Sequence, residues 1–133
     1  MRPLLVGEVN PYGVDPAFAL YPLPEHASGW RLCAILGMSF GEYLSAFNRV
    51  NLCSGRWSIR AARAEARVIA ASPDHDAVVL LGAKVCAAFG VQFKPFQRTG
   101  RYAVLPHPSG RCRLWNDKAS VVRARRLIKG VMK

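Results

Sequence analysis

Histidine, serine and arginine side chains that can act on a phosphorylated substrate lie close together in residues 105–116. His107, between two prolines, can donate a hydrogen bond to an oxyanion that develops in a transition state. Ser109 can bind a phosphate through its hydroxyl and its amide, and Arg111 and Arg113 carry guanidinium groups that match phosphate geometry. The alternative is an ordinary loop, in which backbone hydrogen bonds hold the histidine and water solvates the arginines.

A second polar segment lies near the start of the chain, where residues 7–13 read Gly-Glu-Val-Asn-Pro-Tyr-Gly. Asn10 carries an amide that can hold a water molecule or donate to a ligand, although asparagine beside proline also commonly forms a turn. Glu8 can act as a general base, or it can be a solvated acid at the end of a strand. The two side chains are therefore alternative candidates for positioning a water molecule.

Three further residues are candidates for binding a planar ring. Asn51 offers a donor and an acceptor side by side, which can read the edge of a nucleobase, although asparagine is also a common turn residue. Phe18 and Tyr21 lie in a long proline-containing segment after Asn10. They can stack on a base or pack as ordinary core residues.

The elements that must position these residues alternate along the chain. The predicted strands cover residues 3–9, 49–53, 77–81 and 101–105. The predicted helices cover residues 30–36, 39–47, 58–71, 83–89 and 118–132. Alternation of this kind predicts an α/β fold with a small, doubly wound, mostly parallel four-stranded sheet and helices on both faces. Because each polar segment follows a strand, we expect them to converge at one edge of the sheet.

The composition favours a polyanionic partner. Nineteen Lys and Arg residues stand against eight Asp and Glu, and the formal net charge is +11. Such a field favours nucleic acid or an anionic membrane surface, and the alternative is a basic surface that binds nothing. A length of 133 residues predicts one domain, residues 1–133. No apolar run reaches the ~18 residues of a membrane span, and the apolar start is short for a signal peptide. We therefore expect a cytoplasmic monomer, in a bacterial cell or a virus-infected host cell.

The four cysteines do not indicate a metal site. None of them forms a Cys-x-x-Cys pair, the spacing typical of zinc and iron–sulfur sites. Cys33 and Cys86 lie in apolar helical runs and are predicted to be small core residues. Cys53 and Cys112 lie in the segments of the candidate site. We expect neither a metal nor a cofactor.

Taken together and in this order, the segments resemble the motifs of the uracil-DNA glycosylase superfamily. Asn10-Pro11 resembles the Asn-Pro of its mismatch-specific and single-strand-selective branches, where the uracil-specific branch has Asp-Pro. Pro11-Tyr12 resembles the uracil-specific branch, whose tyrosine excludes the methyl group of thymine. Residues 107–109 are similar to the superfamily's His-Pro-Ser motif, and Asn51 to the asparagine that reads the uracil edge. Leu81-Gly82 is similar to its Leu-Gly strand end, while the paired cysteines of the iron–sulfur branches are absent.

This resemblance implies a DNA glycosylase that excises a flipped base in DNA repair. The base, uracil or a modified pyrimidine such as those in phage DNA, would stack on Phe18 or Tyr21. Asn10 or Glu8 would place the attacking water, and His107 would stabilise the leaving base. Ser109 and the backbone of Gly110 would hold phosphate, with Arg111 beside the vacated stack and Arg113 as a further DNA contact.

Two alternatives from other classes remain open. One is a non-cleaving binder of nucleic acid or of a modified base, suggested by an amide at Asn10 where an acid is the usual catalyst. The other is a viral enzyme that modifies a base and keeps its glycosidic bond. A plain dinucleotide-binding domain is disfavoured, because the turn after the first predicted strand lacks the G-x-G-x-x-G pattern.

Overall fold

The chain folds as an α/β protein, and the structure, a computed structural model, describes residues 2–10, 13 and 15–132. The strands, in chain order, are β1 Leu4–Asn10, β2 Asn48–Ser54, β3 Val78–Leu81, β4 Arg98–Thr99 and β5 Tyr102–Leu105. The helices are α1 Ser28–Leu36, α2 Phe40–Ala46, α3 Ile59–Ala71, α4 Ala83–Phe89 and α5 Lys118–Val131. Single turns of 3-10 helix, Pro16–Phe18 and Arg113–Asn116, lie in the connections.

The strands form one five-stranded sheet in the order β2-β1-β3-β5-β4. All neighbours pair in parallel except β4, which pairs antiparallel with β5 at the edge. The prediction of a mostly parallel sheet is confirmed, but the predicted number of four strands is wrong. The missed strand has two residues, too few to carry a hydrophobic period. The pairing with β5 continues beyond β4, because the Phe96 N–H donates to the Val104 carbonyl at 2.8 Å.

Two apolar cores cover the two faces of this sheet, as the sequence predicted. Leu5, Val79 and Leu105 point to the face that α1, α2 and α5 cover. Val6 and Leu80 point to the opposite face, under α3 and α4. Side chains alternate along a strand, so a strand that is apolar at every position is buried on both faces. Each such side chain contributes roughly 1.5–3 kcal/mol when fully buried.

Two strands end one residue later than predicted, which changes the setting of Asn10. β1 ends at Asn10, one residue beyond the predicted end at Val9, so Asn10 is a strand residue rather than a loop residue. β2 ends at Ser54, one residue beyond the predicted end at Cys53, and Asn51 lies inside the strand, within the predicted range 49–53. The parallel ladder explains both extensions, because it pairs Gly7 with Asn51 and Asn10 with Ser54. Ladder hydrogen bonds outweigh the turn preference of asparagine.

Side-chain caps set several helix starts. A capping box begins α2: the Glu42 N–H donates to Ser39 Oγ at 3.1 Å, and Glu42 Oε1 accepts from the Ser39 N–H at 3.0 Å. Asp117, rather than Asn116, caps α5 by accepting from the Ala119 N–H at 2.9 Å. Such caps contribute about 1 kcal/mol each. Helix α1 begins at Ser28, two residues before the predicted start.

Residues 15–28 form an ordered connection across the end of the sheet. The buried Tyr43 hydroxyl donates to the Leu20 carbonyl at 2.8 Å. Arg49 donates from Nη1 to the Ala19 carbonyl at 2.8 Å, and its guanidinium carbon lies 5.8 Å from the centre of the Tyr21 ring. A residue of α2 and a residue of β2 therefore fix the segment that carries the candidate aromatic residues.

No helix in the described part of the chain is long and apolar enough to cross a membrane. Cys33 and Cys86 are buried, with 2% and 1% of their surface exposed, which confirms the prediction that they are core residues. Burial raises the pKa of the Cys33 thiol to about 11, and that of Cys86 also to about 11. Neither thiol is therefore a nucleophile near neutral pH.

Candidate functional site

A cleft of about 150 Å³ opens at the carboxyl ends of the parallel strands. Its lining includes six of the residues that the sequence singled out: Glu8, Asn10, Phe18, Tyr21, Asn51 and His107. Pockets for drug-sized ligands are roughly 300–1,000 Å³, so this cleft has the size for one small ring rather than for a dinucleotide. The cleft adjoins the point where the chain order reverses between β1 and β3, the usual ligand position in open α/β sheets.

The two ionisable groups of the cleft lie side by side. His107 Nε2 is 3.7 Å from Glu8 Oε2, and both side chains are mostly buried, with 32% and 22% of their surface exposed. Gly82, which follows β3, lies behind the pair with φ +99°. A Cβ atom on Gly82 would lie 3.1 Å from His107 Cβ and 3.6 Å from Glu8 Oε2. The absence of a side chain at this position therefore leaves room for the pair.

The surroundings of His107 favour its neutral form. Burial lowers its pKa below the ordinary 6.5, Glu8 partly opposes that change, and the charge of Lys84 adds to it. A neutral imidazole carries one N–H donor and one acceptor nitrogen. At neutral pH, His107 can therefore donate one hydrogen bond to negative charge in the cleft without giving up a proton.

The position of His107 is fixed from the C-terminal side of its loop. Trp115 Nε1 donates to the His107 carbonyl at 2.9 Å. The Trp115 ring in turn meets Phe96 edge to face, with ring centres 5.9 Å apart. The turn Arg113–Asn116 thereby holds the backbone of His107 at the mouth of the cleft.

The two asparagines of the cleft come from neighbouring strands. Asn10 is the last residue of β1 and is 7% exposed, one of the few buried polar side chains of the described chain. Asn51 lies on β2 beside Gly7 in the ladder. Its amide makes no hydrogen bond to another residue of the described ranges, so both its donor and its acceptor are available to a ligand.

The aromatic wall of the cleft combines an exposed ring with a half-buried one. Phe18 is 50% exposed. It meets Tyr21 edge to face, with ring centres 5.2 Å apart. An exposed phenyl ring at the rim of a cleft can stack on a planar ligand at little cost in desolvation. Tyr21 packs between Phe18 and Arg49, whose guanidinium lies above the Tyr21 ring.

Ser109 and Gly110 line a neighbouring cleft of about 210 Å³ rather than the first one. Ser109 Oγ accepts a hydrogen bond from the Arg111 N–H at 3.1 Å, which closes a tight turn. The side chains of Arg111 and Arg113 are exposed, and the structure does not bring them into either cleft. Tyr12 lies outside the described residues.

The remaining two cysteines are not among the residues that line the His107 cleft. Cys53 is buried and accepts a hydrogen bond from the Ser58 N–H at 3.5 Å. Cys112 lines the neighbouring cleft with Ser109. Within the described ranges, no group of three or more His, Cys, Asp or Glu side chains is arranged to hold a metal ion.

Several residues of the site carried no local signal in the sequence. Tyr43 and Trp115 act through single hydrogen bonds to the backbone of distant segments. Arg49 is the exception, because an arginine inside a predicted strand needs partners. Arg31 and His26, beside the clefts, are hydrogen-bonded to each other across one turn.

The cleft thus combines a neutral imidazole, a carboxylate and two amides around a space for one small ring. These groups can position a water molecule, read the edge of a heterocycle and stabilise a leaving anion. No model of a known protein family matches the sequence. A search of curated proteins likewise finds no match to it.

Proposed function

We propose that the protein is a DNA N-glycosylase of the uracil-DNA glycosylase type, which hydrolyses the bond between a flipped pyrimidine and its sugar. The observation that carries the proposal is the convergence of Glu8, Asn10, Asn51 and His107 on one cleft. These residues come from three separate segments of the chain, and their order and types resemble that superfamily. The net charge of +11 supports DNA as the partner.

The base would occupy the 150 Å³ cleft after leaving the stack. Asn51 would pair with the polar edge of the pyrimidine through both atoms of its amide. Phe18 would stack on the face of the ring, a contact worth ~1–3 kcal/mol per base in other proteins. Tyr12, which resembles the tyrosine that excludes a methyl group, would set the choice between uracil and thymine.

The chemical step is a displacement at the anomeric carbon of the sugar. A water oxygen bonds to that carbon, the carbon–nitrogen bond breaks, and its electron pair leaves with the base. Asn10 would orient the water through its amide, and Glu8 would accept the proton that the water loses. Neutral His107 would donate a hydrogen bond to the oxygen of the departing base, where the negative charge collects. The base then takes up a proton from solvent.

Alkali-labile strand cleavage tests this proposal. The wild-type protein is incubated with labelled single- and double-stranded DNA that contains uracil or hydroxymethyluracil, followed by hot alkali. We expect cleavage at the modified position and a loss of about 10²-fold or more in rate for Asn10→Ala and for His107→Ala. Glu8→Gln separates the two candidates for water activation, because only a proton acceptor loses its function in the amide.

Matched controls come from the opposite edge of the sheet. Asn48 and His75 hydrogen-bond to each other at 3.0 Å, far along the strands from the cleft. Asn48→Ala and His75→Ala should leave the rate within about twofold of the wild type, since surface substitutions usually cost little. DNA that stays intact with every substrate would contradict glycosylase activity.

A second candidate is a reader that binds the base without releasing it. The observation that favours it is the amide of Asn10 at the end of β1, because Glu8 is the only carboxylate among the described residues that line the cleft. A reader binds uracil-containing DNA more tightly than unmodified DNA and leaves no alkali-labile site. An enzyme that modifies the base would instead change the mass of the base within an intact strand.

A further inference from the structure

Arg31 is held in a fixed orientation behind the His107 loop. It lies in the first turns of α1, and Nε donates to the His26 carbonyl at 3.3 Å. Nη2 lies 3.5 Å from His26 Nδ1. The other ring nitrogen of His26, Nε2, lies 3.5 Å from Glu25 Oε1.

The guanidinium of Arg31 packs directly on the backbone of Gly110. A Cβ atom at Gly110 would lie 2.7 Å from Arg31 Nη2 and 2.8 Å from Arg31 Cζ. Only glycine leaves room for this approach without a shift of the arginine. The contact joins the start of α1 to the loop that carries His107 and Ser109.

Arg31 is also one of the residues that line the neighbouring cleft of about 210 Å³. Arg31 Nη1 donates to no residue of the described ranges. Ser109 and Trp30 also line this cleft. A planar cation, a hydroxyl and an aromatic ring match the phosphate and the adjoining nucleotide of a nucleic-acid strand.

We propose that Arg31 is the principal ligand of one phosphodiester of the substrate strand in this second cleft, beside Ser109, whose phosphate contact the resemblance already implies. The inference rests on the proposed function, because it takes the strand that enters the His107 cleft to be DNA. Pro108 links the two clefts, so the phosphate would belong to a nucleotide next to the flipped one. Arg31 would thereby set the distance at which the strand passes His107.

Single neutralised phosphates test the proposal. A series of uracil-containing single strands is prepared in which one phosphate at a time, on either side of the uracil, is replaced by an uncharged methylphosphonate. Affinity is measured for the wild type and for Arg31→Ala. We expect one replacement to weaken wild-type binding about tenfold, as for loss of a charged hydrogen bond. The same replacement should leave the affinity of Arg31→Ala unchanged within twofold.

Two further variants keep the test specific. Gly110→Ala displaces the guanidinium while keeping its charge. The methylphosphonate that weakens wild-type binding should therefore leave the affinity of Gly110→Ala unchanged as well. Arg63→Ala removes an exposed arginine from α3, on the opposite face of the sheet, and should respond like the wild type. Circular dichroism establishes that each variant is folded before its affinity is compared.

The outcomes separate this proposal from the proposed function. If every replacement costs Arg31→Ala as much as it costs the wild type, Arg31 binds no phosphate and this inference fails alone. If one replacement weakens the binding of DNA by the wild type but not by Arg31→Ala, Arg31 binds that phosphate, even where no base is released. If the wild type binds no DNA at low salt, both proposals fail.

Discussion

At the scale of single residues, the pairing of His107 with Glu8 decides what the cleft can do. Burial is the main cause that lowers the pKa of the imidazole and keeps it neutral, and the carboxylate 3.7 Å away partly raises that pKa again. The group is thus poised as a hydrogen-bond donor rather than as a fixed cation. A catalyst that must stabilise a leaving anion and then release it benefits from this balance.

Removing the carboxylate should lower the pKa of His107 further. Glu8→Gln removes the negative charge that raises the pKa of His107, and it leaves the burial of the imidazole unchanged. Titration of the His107 ring by NMR should show a pKa below that of the wild type. Asp76→Asn, an exposed acid at the other edge of the sheet, should leave the titration unchanged. A higher pKa in Glu8→Gln would contradict the assigned cause.

The same pKa predicts how stability depends on pH. Since the folded-state pKa of His107 lies below the ordinary 6.5, the unfolded chain binds more protons as the pH falls. The contribution of a neutral, buried His107 to folding is therefore full above about pH 7 and declines as the pH drops below the unfolded pKa. Urea unfolding at pH 7.5 and pH 5.5 measures this, and His107→Gln should reduce the difference.

Gly82 should be a costly position for any side chain. Its φ of +99°, with ψ of 168°, lies in a region that is essentially restricted to glycine. Gly82→Ala should destabilise the fold by about 1–3 kcal/mol and displace His107. Gly130→Ala is the matched control, because Gly130 lies within α5 with open space around it. Alanine there should stabilise by about 0.5–1 kcal/mol, and equal effects in denaturant melts would contradict the account.

At the scale of elements, the aromatic wall depends on anchors from outside its own segment. The Tyr43 hydroxyl holds the Leu20 carbonyl, and Arg49 holds the Ala19 carbonyl. Residues 15–28 bury few side chains of their own, so these hydrogen bonds fix the position of Phe18 and Tyr21. The wall should therefore respond to changes in α2 that do not touch the ligand.

Tyr43→Phe tests this dependence. The variant leaves the Leu20 carbonyl without its donor and should cost about 1–2 kcal/mol of unfolding free energy. It should also raise KM more than it lowers kcat, since the wall binds the base and does not react. Tyr102→Phe is the control, because the Tyr102 hydroxyl has no hydrogen-bond partner within the described ranges. Equal losses in the two variants would contradict the anchoring role.

The features that could be predicted from the sequence are those with a local signal, and the features that were missed depend on contacts between distant segments. Runs such as Val78–Leu81, the capping box at Ser39 and the glycines after helices are local signals, and the sheet and helices follow from them. The convergence at one edge follows from parallel strands alone. The anchors Tyr43 and Trp115, and the contact of Arg31 with Gly110, depend on tertiary packing. The extension of β1 through Asn10 likewise depends on its pairing with Ser54 in the neighbouring strand.

At the scale of the whole molecule, the excess of positive charge should control affinity for DNA. The net charge of +11 includes the exposed Arg111 and Arg113 near the clefts and the arginines of α3 on the other face. Long-range attraction of this kind raises association rates and affinity for any polyanion. Sequence or base selectivity must come from the cleft itself.

Binding should therefore weaken steeply with salt. For about five phosphate contacts on a single strand, affinity should fall on the order of a hundredfold between 50 and 200 mM salt. Arg111→Ala and Arg113→Ala should each reduce the slope by about 0.7. Fluorescence anisotropy with a labelled oligonucleotide measures both quantities. A salt-independent affinity would mean that the charge of the protein plays no part in binding.

Identification of the released product tests the central claim most directly. Purified protein is incubated with uracil-containing single-stranded DNA, and small molecules are separated from the strand and identified by mass spectrometry, without alkali. The account predicts free uracil and a full-length strand that is lighter by the mass of uracil less one water, with neither product formed by His107→Ala. A strand of unchanged mass, or a base altered in mass but still attached, would contradict hydrolysis of the glycosidic bond.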